Sequence, residues 1–432
     1  MVTKNKYRKR IIDQKIQKLL FAPFALQIVG PRYSGKTTTA MHFCKSMINL
    51  QENETSERYK QIAKEDVSLL LEGEKPRLID EWQEIPGIRG KIRHLVDNLD
   101  YDHVEYILTG SVVPAKLNHN DIAPGRYLIL RMHLMSLYEL GISSGEIFLN
   151  DLVNKKTIKS TPCALTRNDI AKYIVQGGWP NIYNHYEIYK DYVDSYIKEI
   201  CDDLISRYDG IKRNSKLTLD ILTSYARLLC GVSKSNTVQS IINDLAKKYN
   251  KIAKTTIYSY LRVLKNLFII DGIKCWNPNF RSSIAFCSSE KKMFIDPSIP
   301  ARLLKMNDQQ ILHDPNTMGF LFENLVARDL RAYLQNTDSE LYFFRDQKGT
   351  IECDYVISYE NGEYALVEIK VSSNNVQIAL DSLLKVYNKL QKAKAKQLPK
   401  FMMIITGDGA AYTIKKDTPC PVHVIPIGCL KD

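Results

Sequence analysis

Residues Gln27 to Thr39, QIVGPRYSGKTTT, constrain this chain more than any other stretch, because an apolar run there passes into a glycine-rich loop and then into helix-forming sequence. Gly30, Gly35, Lys36 and Thr37 fit the G-x-x-x-x-G-K-[ST] spacing of a phosphate-binding loop. Phosphates are densely negative, so such a loop turns backbone N–H groups inward, and glycine makes so tight a turn without a Cβ clash. Pro31, Arg32, Tyr33 and Ser34 complete the loop, and Thr38 follows it. The pattern assigns Lys36 to the β- and γ-phosphates of ATP and the Thr37 hydroxyl to Mg²⁺, with the positive end of a helix starting near Gly35 aimed at the charge. A strand over 25–29 and a helix over 36–48 are the expected flanks. Ahead of them, Ile11, Ile12, Ile16, Leu19 and Leu20 recur at helical spacing, and Tyr7, Arg8 and Arg10 precede that helix as candidates to touch the base or phosphates.

The stretch PRLIDEWQEIPGIRGKIRHLV, from Pro76 to Val96, reads as a short strand ending in two acids. Asp80 stands where a carboxylate would hold the Mg²⁺ shell, and Glu81 where one would orient and deprotonate the attacking water. Open parallel sheets keep their ligand crevice at such carboxyl strand ends. VEYILTGS, from Val104 to Ser111, repeats the form, making Thr109 or Ser111 a candidate γ-phosphate sensor. In PGRYLIL, from Pro124, Arg126 precedes another β-prone run. An arginine there could stabilise charge on the γ-phosphate, in its own subunit or across a homo-oligomer interface.

The segments GPRYSGKTT, LIDEWQEIP, ILTGS and the later GR resemble the AAA-type ATPase domain of a large prokaryotic group. Its members join that domain to a C-terminal domain of unknown function that is similar to restriction endonucleases. The resemblance runs along nearly the whole chain, and Gly177, Gly178, Trp179 and Pro180 match the family's G-G-aromatic-P signature.

A chain of 432 residues is too long for one comfortable core, so two or three domains are expected. Lys155 to Pro162 is polar and breaks the pattern, placing a boundary near it. Beyond it, helical runs over 183–203, 217–230, 238–247 and 253–267 precede strands over 268–274 and 291–295. Three helices and a hairpin is the order of a winged-helix module, which the resemblance also implies. As a DNA reader its third helix would offer Lys254, Thr255, Thr256, Ser259 and Arg262; as a lid it would pack on a partner instead.

The last third holds a second constellation. A helix over 318–333 carries Glu323, a strand over 352–357 carries Asp354, and YALVEIKV, from Tyr364, carries Glu368 and Lys370 on one face by strand alternation. This Asp followed by Glu-x-Lys looks like the D…ExK core of the restriction-endonuclease fold. Asp354 and Glu368 would hold a second divalent ion, Mg²⁺ or Mn²⁺, against a scissile phosphate, with Lys370 steadying the developing charge and Glu323 adding an acid. Net charge of +12, and Lys389, Lys392, Lys394, Lys396 and Lys400 in particular, would favour a DNA or RNA backbone. Nine cysteines scatter without zinc or C-x-x-C spacing, as reduced thiols would. No apolar run nears the ~20 residues of a membrane span, and the basic amino terminus lacks a signal-peptide core, so a cytoplasmic location is expected.

The expected protein is therefore α/β, in three parts. These are a P-loop AAA-type parallel-sheet domain (1–150), a winged-helix middle (151–300) and a restriction-endonuclease-like domain (301–432). Its expected function is Mg²⁺-dependent ATP binding and hydrolysis that controls a nuclease-like, nucleic-acid-binding domain. The alternative is an ATP-gated switch or scaffold that binds a protein partner and carries an inert nuclease-like domain.

Overall fold

The computed structural model describes residues 7–52, 55–98, 102–110, 125–204, 214–230, 238–246, 248–249, 252–277, 290–346, 349–414 and 417–432. Helix α1 (Asp13–Leu19) leads into strand β1 (Ala25–Val29), the phosphate-type loop and helix α2 (Lys36–Phe43). The helix expected to run to residue 48 stops at Phe43, where Cys44 turns extended, and Ser46–Asn49 forms strand β2. Three successive threonines weaken helix propagation, and Met47 and Ile48 instead pair with Leu78 and Ile79 of β3 (Arg77–Asp80).

Helix α3 (Ser56–Asp66) lies between β2 and β3; α4 (Ile88–Asp97), β4 (Tyr106–Thr109) and β5 (Tyr127–Arg131) follow. The five strands run parallel in the order β2-β3-β4-β1-β5. Alternation sorts their side chains. Leu26 and Ile28 of β1 join Ile12 and Ile16 beneath one face, while Ala25, Ile79 and Leu108 join Ile88 and Ile92 of α4 beneath the other. All carboxyl strand ends therefore meet at one edge, and the register brings Val29, Asp80, Thr109 and Arg131 to it.

Next come short strands β6 (Ile147–Phe148) and β7 (Thr161–Pro162), then helices α5 (Arg167–Gln176), α6 (Tyr189–Glu199), α7 (Ser215–Leu229), α8 (Val238–Ala246) and α9 (Lys254–Asn266). An antiparallel hairpin of β8 (Ile270–Ile273) and β9 (Lys291–Phe294) follows α9. Short helices α10 (Ser298–Leu303) and α11 (Asp308–Leu312) lead to the long α12 (Pro315–Leu334). Asp314 caps α12 by accepting the Thr317 N–H, and Pro315 sits where the helix needs no donor.

The chain ends in β10 (Glu340–Arg345), β11 (Glu352–Ser358), β12 (Tyr364–Lys370), α13 (Val376–Lys392), β13 (Phe401–Thr406), β14 (Ala410–Ile414), β15 (Val422–Pro426) and β16 (Leu430–Lys431). They build a mixed sheet in the order β10-β11-β12-β13-β15-β14-β7. Leu321, Phe322 and Leu325 of α12 pack with Tyr355, Val367 and Met403, and Leu383, Val386 and Leu390 of α13 with Val356, Leu366 and Met402, so each helix covers its own layer of core. The polar stretch from Lys155 to Pro162, expected to mark a boundary, ends in β7, which pairs with β14 at the edge of this sheet, while β6, ahead of the stretch, pairs with β16 in a separate two-stranded sheet. Its polarity suits an exposed sheet edge as well as a linker.

One buried cluster ties the parts together. The Arg328 guanidinium of α12 bonds Asp296 at 3.0 Å and Asp329 at 2.8 Å, all three side chains being almost fully buried. Asp329 accepts the Leu137 N–H, and Asp296 accepts the Gly178 N–H and the Ser298 hydroxyl. A Cβ on Gly178 would lie 2.3 Å from the Met135 carbonyl oxygen, so only glycine admits this approach.

Candidate functional site

The phosphate-type loop lies between the carboxyl end of β1 and α2. Gly30 adopts φ +153, and a Cβ there would come within 2.3 Å of the Met132 carbonyl oxygen, so β5 and the loop close on each other only because that atom is missing. Pro31 and Ser34 are buried, with the Ser34 hydroxyl donating to the Pro31 carbonyl at 2.8 Å, whereas Thr38 is exposed on the first turn of α2. Gly35 caps α2 in the left-handed region.

Arg10 braces this loop from behind. Its Nη1 donates to the Ser34 carbonyl at 2.7 Å, Nη2 to the His133 carbonyl at 2.8 Å, and Nε to Glu139 at 2.8 Å. It thus shapes the loop rather than meeting phosphate. Tyr7 stacks on His42 of α2 at 4.2 Å, and Arg8 lies over the Tyr183 ring.

Inside the loop, Lys36 Nζ donates to the carbonyls of Pro31 at 2.7 Å and Gly30 at 3.1 Å. Burial lowers its pKa to about 8, against the pull of Glu81 and Asp80. The Thr37 hydroxyl donates to Asp80 Oδ1 at 2.9 Å and the Thr109 hydroxyl to the same oxygen at 2.5 Å. Burial raises the Asp80 pKa, with those two hydrogen bonds acting against it. Glu81, next along, takes a left-handed backbone conformation and accepts from Gln83. These groups suit a triphosphate with Mg²⁺: a hydroxyl and a carboxylate converge on one point, and a buried ammonium has only carbonyls for hydrogen-bond partners.

Two expected phosphate contacts fall elsewhere. Thr109 is fully buried and turned to Asp80, so it orients that carboxylate instead of facing a γ-phosphate. Arg126 precedes β5 at the end where Tyr127 pairs with Ala25, which is the amino end of the sheet, and its guanidinium bonds Asp97 at 2.6 Å. The length of β1 separates it from the loop of its own subunit. Ser111 lies outside the described residues.

Glu199, at the end of α6, was not legible as a site residue. It accepts from Arg32 and, at 2.8 Å, from the Tyr33 hydroxyl, holding the outer part of the loop to the middle of the chain. A carboxylate there would oppose incoming phosphates and compete with them for Arg32. Glu199→Gln is accordingly expected to tighten ATP binding on the order of threefold to tenfold at moderate salt, read by titrating a fluorescent ATP analogue; weaker binding would contradict this.

In the C-terminal sheet, Asp354 and Glu368 come from neighbouring antiparallel strands, with Tyr355 opposite Val367. Asp354 Oδ2 accepts the Ile369 N–H at 2.8 Å, and Lys370 Nζ donates to Glu368 at 2.9 Å. Burial, then Asp354, raises the Glu368 pKa to about 7. Glu323 reaches the same region from α12, but it is paired with Lys291 of β9, whose Nζ also lies 3.7 Å from Asp354 Oδ1. Lys291 was missed because one lysine at a strand start carries no local signal. The arrangement does not fit a second divalent ion, since that ammonium already stands between the acids. Among the described residues no three His, Cys, Asp or Glu side chains are grouped to hold a metal. In the lysine-rich stretch, Lys389 pairs with Asp346 and Lys400 with Glu363.

Comparison with protein-family models matches residues 23–141 to an AAA domain. Residues 167–310 match a domain of unknown function (DUF8612), and residues 318–430 another (DUF4143). Comparison with curated proteins finds no match. Among the described residues, no helix is long and apolar enough to cross a membrane.

Proposed function

We propose that the protein is a Mg²⁺-dependent ATPase whose nucleotide state acts on the rest of the chain through the contacts around its phosphate loop. The observation that carries this reading is the convergence of Lys36, Thr37 and Asp80 at the carboxyl edge of the parallel sheet, beneath an AAA-type loop. Lys36 leaves the Gly30 and Pro31 carbonyls for the β- and γ-phosphate oxygens, and the α2 amino terminus adds N–H groups beside it. Thr37 and Asp80 would hold Mg²⁺, which would supply charge neutralisation and orientation of the phosphates. Thr109 keeps Asp80 aimed, and Glu81 takes the proton from the attacking water. Arg32 and Tyr33 meet the nucleotide on one side and Glu199 on the other, so binding alters the hold of α6 on the loop.

The test is Mg²⁺-dependent ATP hydrolysis by wild type and Glu81→Gln. Loss of a positioned base lowers turnover about 100-fold or more, while ATP affinity stays near that of wild type. Unchanged turnover in Glu81→Gln would remove Glu81 from the role, and an absence of hydrolysis in wild type would overturn the reading.

For the C-terminal domain, the side-by-side Asp354, Glu368 and Lys370 favour a nuclease-like site open to DNA or RNA, after the D…ExK pattern. The pairing of Glu323 with Lys291, and of Lys389 and Lys400 with acids, favours instead a switch or scaffold with a protein partner, and we adopt that reading. Nicking of plasmid DNA or RNA under Mn²⁺ that Asp354→Ala abolishes would reverse the choice.

A further inference from the structure

Two thiols meet where the stretch that follows the five-stranded sheet clasps the segment around β16. Ser144 donates its N–H to the Gly428 carbonyl at 2.8 Å, the Ser143 hydroxyl donates to the Leu430 carbonyl at 2.6 Å, and β6 pairs with β16. Just beyond β7, the Cys163 N–H donates to the Gly409 carbonyl at 2.9 Å. These contacts set the half-buried Cys163 against the fully buried Cys429. A Cβ on Gly428 would lie 2.8 Å from Cys163 Sγ, and Cys429 Sγ lies 4.0 Å from the Pro162 carbonyl oxygen. Each sulfur thus rests on the residue that precedes the other.

The two thiols differ in state. Cys429 donates its S–H to the Cys163 sulfur, and the N–H groups of Leu165 and Gly428 turn to the same atom. The bond from Cys429, with those two N–H groups behind it, draws the Cys163 thiol down to about 7 against the effect of burial. Donating that bond, together with burial, pushes the Cys429 thiol up. Elsewhere burial pushes Cys44, Cys201 and Cys230 up to about 12 and Cys420 to about 11, as it does for inert structural thiols. The thiolate is the reactive form of cysteine, and a redox-sensing site sets an accessible thiolate beside a second thiol that can resolve it.

We infer that Cys163 and Cys429 are a redox-active pair oxidised by peroxides, with Cys163 as the attacking sulfur and Cys429 as the resolving one. The Cys163 thiolate attacks one peroxide oxygen; the S–O bond forms as the O–O bond breaks, and hydroxide leaves. The sulfur is oxidised by two electrons and the peroxide is reduced. The Cys429 sulfur then attacks the sulfenic sulfur, an S–S bond replaces the S–O bond, and the departing oxygen takes the Cys429 proton and leaves as water. The disulfide makes the clasp covalent, tying the end of β7 to the turn before β16 until a thiol reductant opens it.

The test uses full-length protein treated with a small molar excess of hydrogen peroxide, alkylated, digested with trypsin without reduction and mapped by mass spectrometry. Wild type is expected to give a peptide linking Cys163 to Cys429, from protein that runs as a monomer on a non-reducing gel, and dithiothreitol should abolish the link. Fragmentation separates Cys429 from Cys420, which shares its tryptic peptide. With dimedone as the probe for sulfenic acid, Cys429→Ser, whose hydroxyl can still donate to Cys163, is expected to raise labelling of Cys163 several-fold over wild type. Unchanged labelling would remove Cys429 from the resolving role. Both thiols recovered alkylated and unlinked from peroxide-treated wild type would overturn the pair, as would a link from Cys163 to another cysteine or one found only in a dimer. Should Cys429→Ser fail to fold, wild type alone decides: iodoacetamide at pH 7 is expected to alkylate Cys163 roughly tenfold or more faster than Cys44. Equal rates would overturn the assignment of Cys163 as the attacking sulfur.

Discussion

Lys36→Ala is expected to lower ATP affinity on the order of a hundredfold or more, because charge-assisted hydrogen bonds to two phosphates are lost together. Calorimetric titration measures the loss, and circular dichroism checks that the fold is kept. Retained affinity would sink the assignment of Gly30 to Thr37 as the nucleotide site. The same side chain sets a pH dependence whose two signs can be read separately. In the free protein burial holds Lys36 at about 8, against 10.5 in an unfolded chain. Phosphates favour the charged form, so ATP affinity is fully present below about pH 8 and falls as pH rises through that value, by up to about tenfold per unit. Stability of the nucleotide-free protein moves the opposite way. Between about 8 and 10.5 the unfolded chain binds more protons, so the folded state gains from this group as pH rises. Affinity that climbs from pH 8 to 9 would contradict the assignment of the ammonium to the phosphates.

Arg328→Ala is expected to destabilise the protein by about 3–5 kcal/mol, the cost of leaving buried carboxylates without their cation. Asp296 and Asp329 are both fully buried, and each also holds a backbone N–H from a distant segment, Gly178 in one case and Leu137 in the other. Removing the guanidinium should therefore loosen three stretches of chain together. Denaturant unfolding followed by tryptophan fluorescence reports it well, because Trp179 is fully buried and its indole N–H donates to Ser298 in the same cluster. A loss below about 1 kcal/mol, the range of an ordinary surface ion pair, would show that the cluster does not join these segments. The resulting species should also bind ATP more weakly, since Met132 and Met135 connect the cluster to the loop.

Much of the candidate nucleotide site can be listed from the sequence because its pieces are local. The span from Gly30 to Thr37 lies within one turn of chain, and Asp80 and Glu81 mark a strand end by themselves. Alternation likewise brings Glu368 and Lys370 together, as their 2.9 Å contact reflects. Helix α2 was drawn too long because apolar Met47 and Ile48 serve a helix face and an edge strand equally well. Only pairing with β3 distinguishes them.

The amino-acid order alone determined what depends on neighbours in sequence: where a glycine loop meets a helix, which strands end in acids, and which segments are amphipathic. Tertiary structure decided every charge partner that lies far along the chain. Arg10 with Glu139, Arg32 with Glu199, Asp271 with Arg131, Arg328 with Asp296 and Lys291 with Glu323 have no signal in spacing. An exposed lysine and one sealed against two carboxylates have the same letter and the same neighbours. What separates them is the water that folding removes, and that is a property of the packed whole.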